Sequence, residues 1–202
     1  MIEPVPPAIL LILGALLIPL FRGRARPLYL LLISLLVLIN LSLLEAGTGW
    51  VIRFLGYDLI FARVDRLSLA VAYIFAVIGF LAILYSLHAK NTGEQVAAFL
   101  YMGSALGVVF SGDFLTLFVF WEIMAFTSVF LIWYRREKES LDAGFRYLFM
   151  HIFGGCCLLT GIILHVTSTG SLALGPLENG WGSFFILVGF GLNTAFLPLH
   201  TW

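Results

Sequence analysis

Long apolar runs broken by short polar clusters dominate the chain. The runs cover 5–21, 27–44, 67–87, 95–111, 114–134 and 147–167, and a seventh begins near Trp181 and continues to Trp202. A bilayer core of about 30 Å takes about 20 apolar residues of helix, so six runs are long enough, or nearly so, to cross it. The pattern predicts an all-α polytopic membrane protein with about six complete transmembrane helices plus the first half of a broken seventh. The largest interruption, AGTGWVIRFLGYDLIFARVDR (46–66), alternates around aromatic and β-branched residues. With Gly56–Tyr57–Asp58 between its two arms, it predicts a short hairpin on the membrane surface. Segment 168–181 is rich in Gly and Ser and reads as a loop, and YRREKESLD (134–142) reads as a solvated charged turn.

Composition removes the soluble alternatives. Hydrophobic residues make up 61% of the chain and charged ones 11%, against roughly 45–50% and about 25% in soluble domains. Mean hydropathy is +1.06. The formal net charge of zero argues against a nucleic-acid partner. Cys156 and Cys157 are adjacent within an apolar run, which suits small packing residues rather than a disulfide framework. The run 5–21 lacks a basic leader region and ends in Arg22, Arg24 and Arg26, unlike a cleavable signal peptide.

Charge distribution sets the expected orientation. With the N-terminus outside, Arg22, Arg24, Arg26, Lys90, Arg135, Arg136, Lys138 and Arg146 lie on the cytoplasmic side, and only Arg53, Arg63 and Arg66 lie outside. That bias matches the positive-inside rule. A multi-pass protein of the cell (inner or plasma) membrane follows.

Against this background one residue is out of place. Glu122 is the only charged residue between Phe114 and Trp133. In a helix over 114–134 it sits roughly 3 Å from the bilayer midplane, where a charged side chain costs on the order of 2.5–3.5 kcal/mol by insertion scales. Its helical neighbours at three and four residues, Phe118, Val119, Ala125 and Phe126, offer no partner. Glu122 must face protein or water and be paired or protonated. Two readings stay open: a structural carboxyl hydrogen-bonded between helices, or a proton- or cation-handling site.

Asn193 on the seventh helix lies at nearly the depth of Glu122 and can donate to a carboxylate or accept from a carboxylic acid. Pro198 nearby should break that helix, and broken helices at this depth line cavities. His151 is a candidate proton relay toward the cytoplasm, since imidazole titrates near neutral pH. With its helix starting at 147, the vertical gap from His151 to Glu122 is roughly 12 Å, so water or another helix would have to bridge it. His165 lies near the outer end of the same helix. Asp65 with Arg66 suits an N-terminal cap, with an accessory place in the proton pathway as the alternative, and Asp113 suits a cap. Arg146 reads as an interfacial anchor with an accessory role in guiding protons as the alternative. Gly154, Gly155 and Gly161 allow close helix approach.

These residues carry a family resemblance. DFLTLFVFWEIMAFTSVFLI (113–132) resembles the fifth-helix segment of the antiporter-like subunits of respiratory complex I. LNTAFLPLHTW (192–202), with Pro198 and His200, resembles the start of that family's broken seventh helix, and residues 64–88 resemble its third-helix region. The likeness is closest to the D subunit of Mrp-type Na⁺/H⁺ antiporters and related subunits of membrane-bound hydrogenases. It implies about 14 helices with two inverted five-helix repeats, and a fifth-helix glutamate beside a seventh-helix lysine whose pairing gates protons. Glu122 matches the glutamate, while Asn193 occupies the lysine position, so the resemblance brings no ion-pair gate to this site. Protonation and hydrogen bonding remain.

The resemblance further implies that 1–66 holds two N-terminal helices and an external loop. Residues 67–202 then hold the third helix and a truncated first repeat, so that the chain is an N-terminal fragment or one part of a split subunit. The expected function is that of a subunit of a multisubunit proton/cation transport complex, by Na⁺/H⁺ antiport or redox-coupled pumping. Its partners are other membrane subunits of an antiporter, hydrogenase or NADH-quinone oxidoreductase-like complex, the bilayer, protons and Na⁺. The chain carries no cofactor or metal ligand set, and electron transfer belongs to other subunits. The alternative is a truncated structural subunit that only packs in the complex.

Overall fold

The computed structural model describes residues 5–89 and 91–197. Among these residues seven α-helices follow one another: α1 (Pro7–Leu17), α2 (Ala25–Ser42), α3 (Arg66–Tyr85), α4 (Thr92–Phe110), α5 (Phe114–Trp133), α6 (Lys138–Thr169) and α7 (Trp181–Asn193). Between α2 and α3 the chain forms two antiparallel strands, β1 (Gly47–Phe54) and β2 (Tyr57–Val64). Short 3₁₀ turns extend α1 and α3. The chain is an all-α polytopic membrane protein with one small surface hairpin.

Five helices, α2 to α6, are long and apolar enough to cross a bilayer. Pro7–Leu20 and Trp181–Asn193 are shorter apolar helices, so six full spans are not reached among the described residues. Prolines account for the first: Pro7 starts α1, and Pro19 falls in the 3₁₀ turn that ends it. Pro198, His200 and Lys90 lie outside the described residues.

The hairpin forms where alternation predicts it, with a correction to its turn. Phe54 pairs with Tyr57, leaving Leu55 and Gly56 as the turn. Their φ values of 50° and 87° are both positive, as a type I′ connection needs. Tyr57 and Asp58 therefore belong to β2 rather than to the turn.

The larger correction concerns α6. The stretch 138–142 is not a solvated turn but the start of a 32-residue helix. Its buried positions include Ser140, Gly144, His151, Gly155, Leu158, Ile162 and His165, a spacing that keeps one face inward at the helical period. Charge along the outer face hides this inner stripe. Only Tyr134 to Glu137 make the turn, with Arg136 at φ 58° and Arg135 paired to Glu137 at 2.8 Å.

Packing runs across the Asp65–Arg66 junction. A first core joins Leu11, Leu30, Val37, Ala72, Phe99 and Phe110 of α1 to α4. A second joins Phe114, Leu158, Ile162, Leu172 and Ile186 of α5 to α7 and the loop between them. Small residues set the closest approaches. A Cβ on Gly161 would lie 2.6 Å from Ile186 N and 2.8 Å from Gly182 O, and one on Gly189 would lie 3.0 Å from Gly154 O. Thus α6 and α7 pack antiparallel with their backbones nearly in contact. Cys156 and Cys157 are free thiols within this helix.

The hairpin side of the bundle is laced together by Asp113. Its carboxylate is 1% exposed. It caps α5 by accepting from Thr116 N at 2.8 Å and from Thr116 Oγ1 at 2.6 Å, and it reaches Ile60 N of β2 at 2.7 Å. Gly112 N donates to Ile60 O and Phe114 N to Leu172 O, both at 2.9 Å. The hairpin, the α4–α5 junction and the α6–α7 loop therefore share one side. The turns holding Arg22, Arg24, Arg135 and Arg136, with Arg26 at the start of α2, share the other, called here the basic side.

Candidate functional site

The site is built where α5, α6 and α7 meet. Glu122 lies within about 2 Å of the midpoint of α5 along its axis. Its carboxyl presses on the Gly154–Gly155 step of α6. A Cβ on Gly155 would lie 2.9 Å from Glu122 Cδ and 3.2 Å from Oε2. The missing side chain makes the space that the carboxyl fills. Glu122 Oε1 is buried and has no hydrogen-bond partner among the described residues. The neighbouring Trp121 Nε1 shares that condition, and its ring meets Phe190 of α7 edge-on at 5.0 Å.

Asn193 reaches the same step from the other side. Its Nδ2 would be 3.6 Å from a Cβ on Gly154. The level match between Glu122 and Asn193 is therefore set by adjacent residues of one helix. The Asn193 amide takes another partner here: its Nδ2 donates to Gly189 O of its own helix at 3.3 Å. A backbone carbonyl one turn back is always within reach of such a side chain, whereas Glu122 stands across α6.

His151 is closer to Glu122 than sequence spacing implies. Because Glu122 packs at Gly155, His151 sits one helical turn, about 6 Å, toward the basic side of that contact, rather than about 12 Å. The early start of α6 removes the assumed offset. His151 is 7% exposed. Its Nδ1 lies 3.0 Å from Tyr147 O. Its ring stacks on that of Tyr147 at 3.8 Å between centroids, with 20° between the ring planes. The Tyr147 hydroxyl shares a 2.7 Å hydrogen bond with Ser128 Oγ of α5. Tyr147 and Ser128 were not evident as site residues in the sequence. A tyrosine four residues before the histidine, on the same helical face, was the available signal.

The accessory candidates stand elsewhere. Asp65 is exposed on the hairpin side and caps α3: its carboxylate accepts from Ser68 N at 2.7 Å, and Ser68 Oγ accepts from Asp65 N at 2.8 Å. Those bonds to the Ser68 backbone, with Arg63 contributing, hold the Asp65 carboxyl below its ordinary range. Arg146 is exposed on the basic-side part of α6, nine residues before Gly155. His165 packs against Phe114 at 5.2 Å, near the hairpin side. Among the described residues no cluster of three His, Cys, Asp or Glu side chains is placed to hold a metal ion.

Comparison with known proteins bears on this arrangement. Residues 111–202, which carry Glu122, Gly155, His151 and Asn193, match the family described as "NADH:quinone oxidoreductase/Mrp antiporter, TM". A chain of the membrane-bound sulfane sulfur reductase, an archaeal respiratory membrane complex, superposes with a TM-score of 0.86 at 27% identity, over 99% of this chain and 35% of that one. The second half of the chain is thus similar to the complex I/Mrp antiporter superfamily.

Two further solved structures agree in fold. A chain of respiratory complex I from Thermus thermophilus aligns with a TM-score of 0.78 at 20% identity, over 97% of this chain and 45% of that one. A chain of the Mrp complex from Dietzia sp. DQ12-45-1b gives 0.78 at 21%, over 92% and 23%. Among curated relatives, Na⁺/H⁺ antiporter subunit A1 of Staphylococcus aureus (strain bovine RF122 / ET3-1) is 31% identical over 172 residues, which is 76% of this chain. The same protein of strain N315 matches equally. These relatives carry the A1 name, so they support the superfamily and not a particular likeness to the D subunit. The chain spans 21% of their length.

Proposed function

We propose that this chain serves in a membrane subunit of a multisubunit cation/proton transport complex, with Glu122 as the carboxyl that loads and unloads a proton at mid-membrane. The observation that carries the reading is a carboxyl oxygen near the midpoint of α5, buried in space made by Gly155 and without a hydrogen-bond partner among the described residues. A structural carboxyl would satisfy its bonds, because leaving a buried polar atom unmet costs about 1–3 kcal/mol.

His151, with Tyr147 and Ser128, forms the half-path from Glu122 toward the basic side. Asn193 lines the opposite flank of the glycine step. Asn193 carries no charge, so Glu122 works by protonation and hydrogen bonding and not through an ion pair. The basic side is cytoplasmic and the N-terminus external, in the inner or plasma membrane, by the distribution of arginine. Residues 1–66 supply two helices and the external hairpin. Residues 67–202 supply the third helix and the first part of an antiporter-like repeat. Other membrane subunits are the partners, as in the complexes that hold the relatives. Protons and Na⁺ are the transported ions, and Asp65 and Arg146 stay outside the conducting line.

The test is the Glu122→Gln variant in the reconstituted complex. Normal assembly with proton-coupled cation flux reduced at least about tenfold is expected, a modest loss for a general acid–base group. Unchanged flux with normal assembly would reject the transport role.

A further inference from the structure

One buried face of α6 runs on past Tyr147 toward the basic side. Ser140, Gly144, His151 and Gly155 are buried on it, and Tyr147 lies among them at the helical spacing of three and four residues. Two of these positions are glycines, and each admits a polar group of α5. Gly155 admits the Glu122 carboxyl. Gly144 admits the indole of Trp133: a Cβ there would lie 2.6 Å from Trp133 Cδ1 and 3.1 Å from Cε2, and closer still to Nε1. The spacing agrees on both helices, since eleven residues separate Glu122 from Trp133 and Gly144 from Gly155.

Trp133 Nε1 is buried and has no hydrogen-bond partner among the described residues. A tryptophan that only anchors a membrane edge turns its N–H outward, to headgroups or water. Here the ring rests against Phe130 and Phe145, and the N–H is lodged at Gly144. An indole nitrogen donates and does not accept, and a buried donor left unmet is costly.

Beside this indole the crevice between α5 and α6 opens to the basic side. A pocket of about 400 Å³ there is lined by Ile132, Arg135, Glu137, Glu139 and Ser140, among others. Ile132 precedes Trp133, and Ser140 stands one turn before Gly144 on the same buried face. Glu139 is exposed in the first turn of α6, while Arg135 and Glu137 pair with each other. In the opposite direction Tyr147 follows Gly144 by one turn, a rise of about 4.5 Å, and its hydroxyl is bonded to Ser128.

We propose that the half-path opens through this pocket and that Trp133 is the positioning residue at its neck. The indole N–H holds the oxygen of a water that passes protons between the pocket and the Tyr147–Ser128 pair. One lone pair of that water accepts from the indole, and the other takes the incoming proton. One of the water's own hydrogens then leaves on the far side, so water and indole end unchanged. The proposal rests on Glu122 as the proton site.

The reconstituted complex supplies the test. Trp133→Phe keeps an aromatic ring beside Phe130 and Phe145 but removes the N–H. Proton-coupled flux should fall about 2–10-fold, the equivalent of one ordinary hydrogen bond. The ratio of flux in ordinary to heavy water should rise, because proton passage at the neck becomes limiting; a packing defect leaves that ratio alone. In heavy water the Trp133 N–H, read by Raman spectroscopy as the difference between parent and variant, should exchange as readily as an exposed indole. Unchanged flux, an unchanged isotope ratio, or an N–H protected for hours would each overturn the proposal. If Trp133→Phe does not assemble, Ala143→Cys decides. A bulky cationic thiosulfonate added from the basic side should cut its flux by more than half, with the treated parent as control for Cys156 and Cys157, and no effect would overturn the opening. Glu122→Gln is measured alongside. Flux lost there but kept in Trp133→Phe rejects the neck alone, whereas normal flux in both rejects the proton site itself.

Discussion

Adding one methyl group at Gly155 probes the contact on which the Glu122 site is built. In an α-helix Gly→Ala ordinarily stabilises by about 0.5–1 kcal/mol, because alanine loses less backbone freedom. Here the new Cβ would fall 2.9 Å from Glu122 Cδ and 3.2 Å from Oε2. Either the carboxyl leaves its place or α5 and α6 separate, and such overpacking typically costs about 1–3 kcal/mol. Gly155→Ala should therefore destabilise the chain while Glu122 is present. In a Glu122→Ala background the obstruction is gone, and the same change should become neutral or stabilising. The coupling between the two positions comes to about 1.5–4 kcal/mol, the clash plus the propensity gain it masks. Thermal unfolding of the four variants in detergent micelles measures it, with Glu122→Asp as an intermediate case that shortens the side chain by one methylene. Equal effects of Gly155→Ala in both backgrounds would refute the contact, and with it the placement of Glu122 against α6.

Asp113→Ala strands the Ile60 and Thr116 N–H groups and removes a helix cap, so a loss of about 3–5 kcal/mol is expected. Faster proteolysis within 55–60 should accompany it, because the hairpin loses its tie to α5. The Asp65 carboxyl is held below its ordinary 3.8, so its contribution to stability is present above that value and is lost as pH falls through the lower, folded value. An Asp65→Asn chain should show a flatter melting temperature below about pH 4 than the parent, read by thermal scans across acidic pH. Tyr147→Phe keeps the stack on His151 but deletes the hydroxyl bonded to Ser128. Transport by the complex should fall with assembly unchanged, whereas unchanged flux at all pH values would remove Tyr147 from the half-path.

Sequence by itself determined the class of the fold, the sides of the membrane on which charge gathers, and the oddity of Glu122. The reason is that a bilayer imposes rules local in sequence: about 20 apolar residues per crossing, arginine biased to one face, and a high cost for any carboxyl within. The hairpin and the caps at Asp65 and Asp113 were legible for the same reason, since alternation and capping act over a few residues. The start of α6 was not, because charges on its outer face hid an inner stripe running through Ser140, Gly144 and His151. Tertiary structure alone decided what stands beside Glu122. Gly155 reads in the sequence only as a position of close helix approach, and which group it admits is settled when α5 crosses it. Likewise Asn193 shares a level with Glu122 yet bonds to Gly189, and Tyr147 joins His151 to Ser128. Contacts between helices depend on relative rotation and axial shift. Those are fixed by where glycines let backbones close together, a property of pairs of segments rather than of either one.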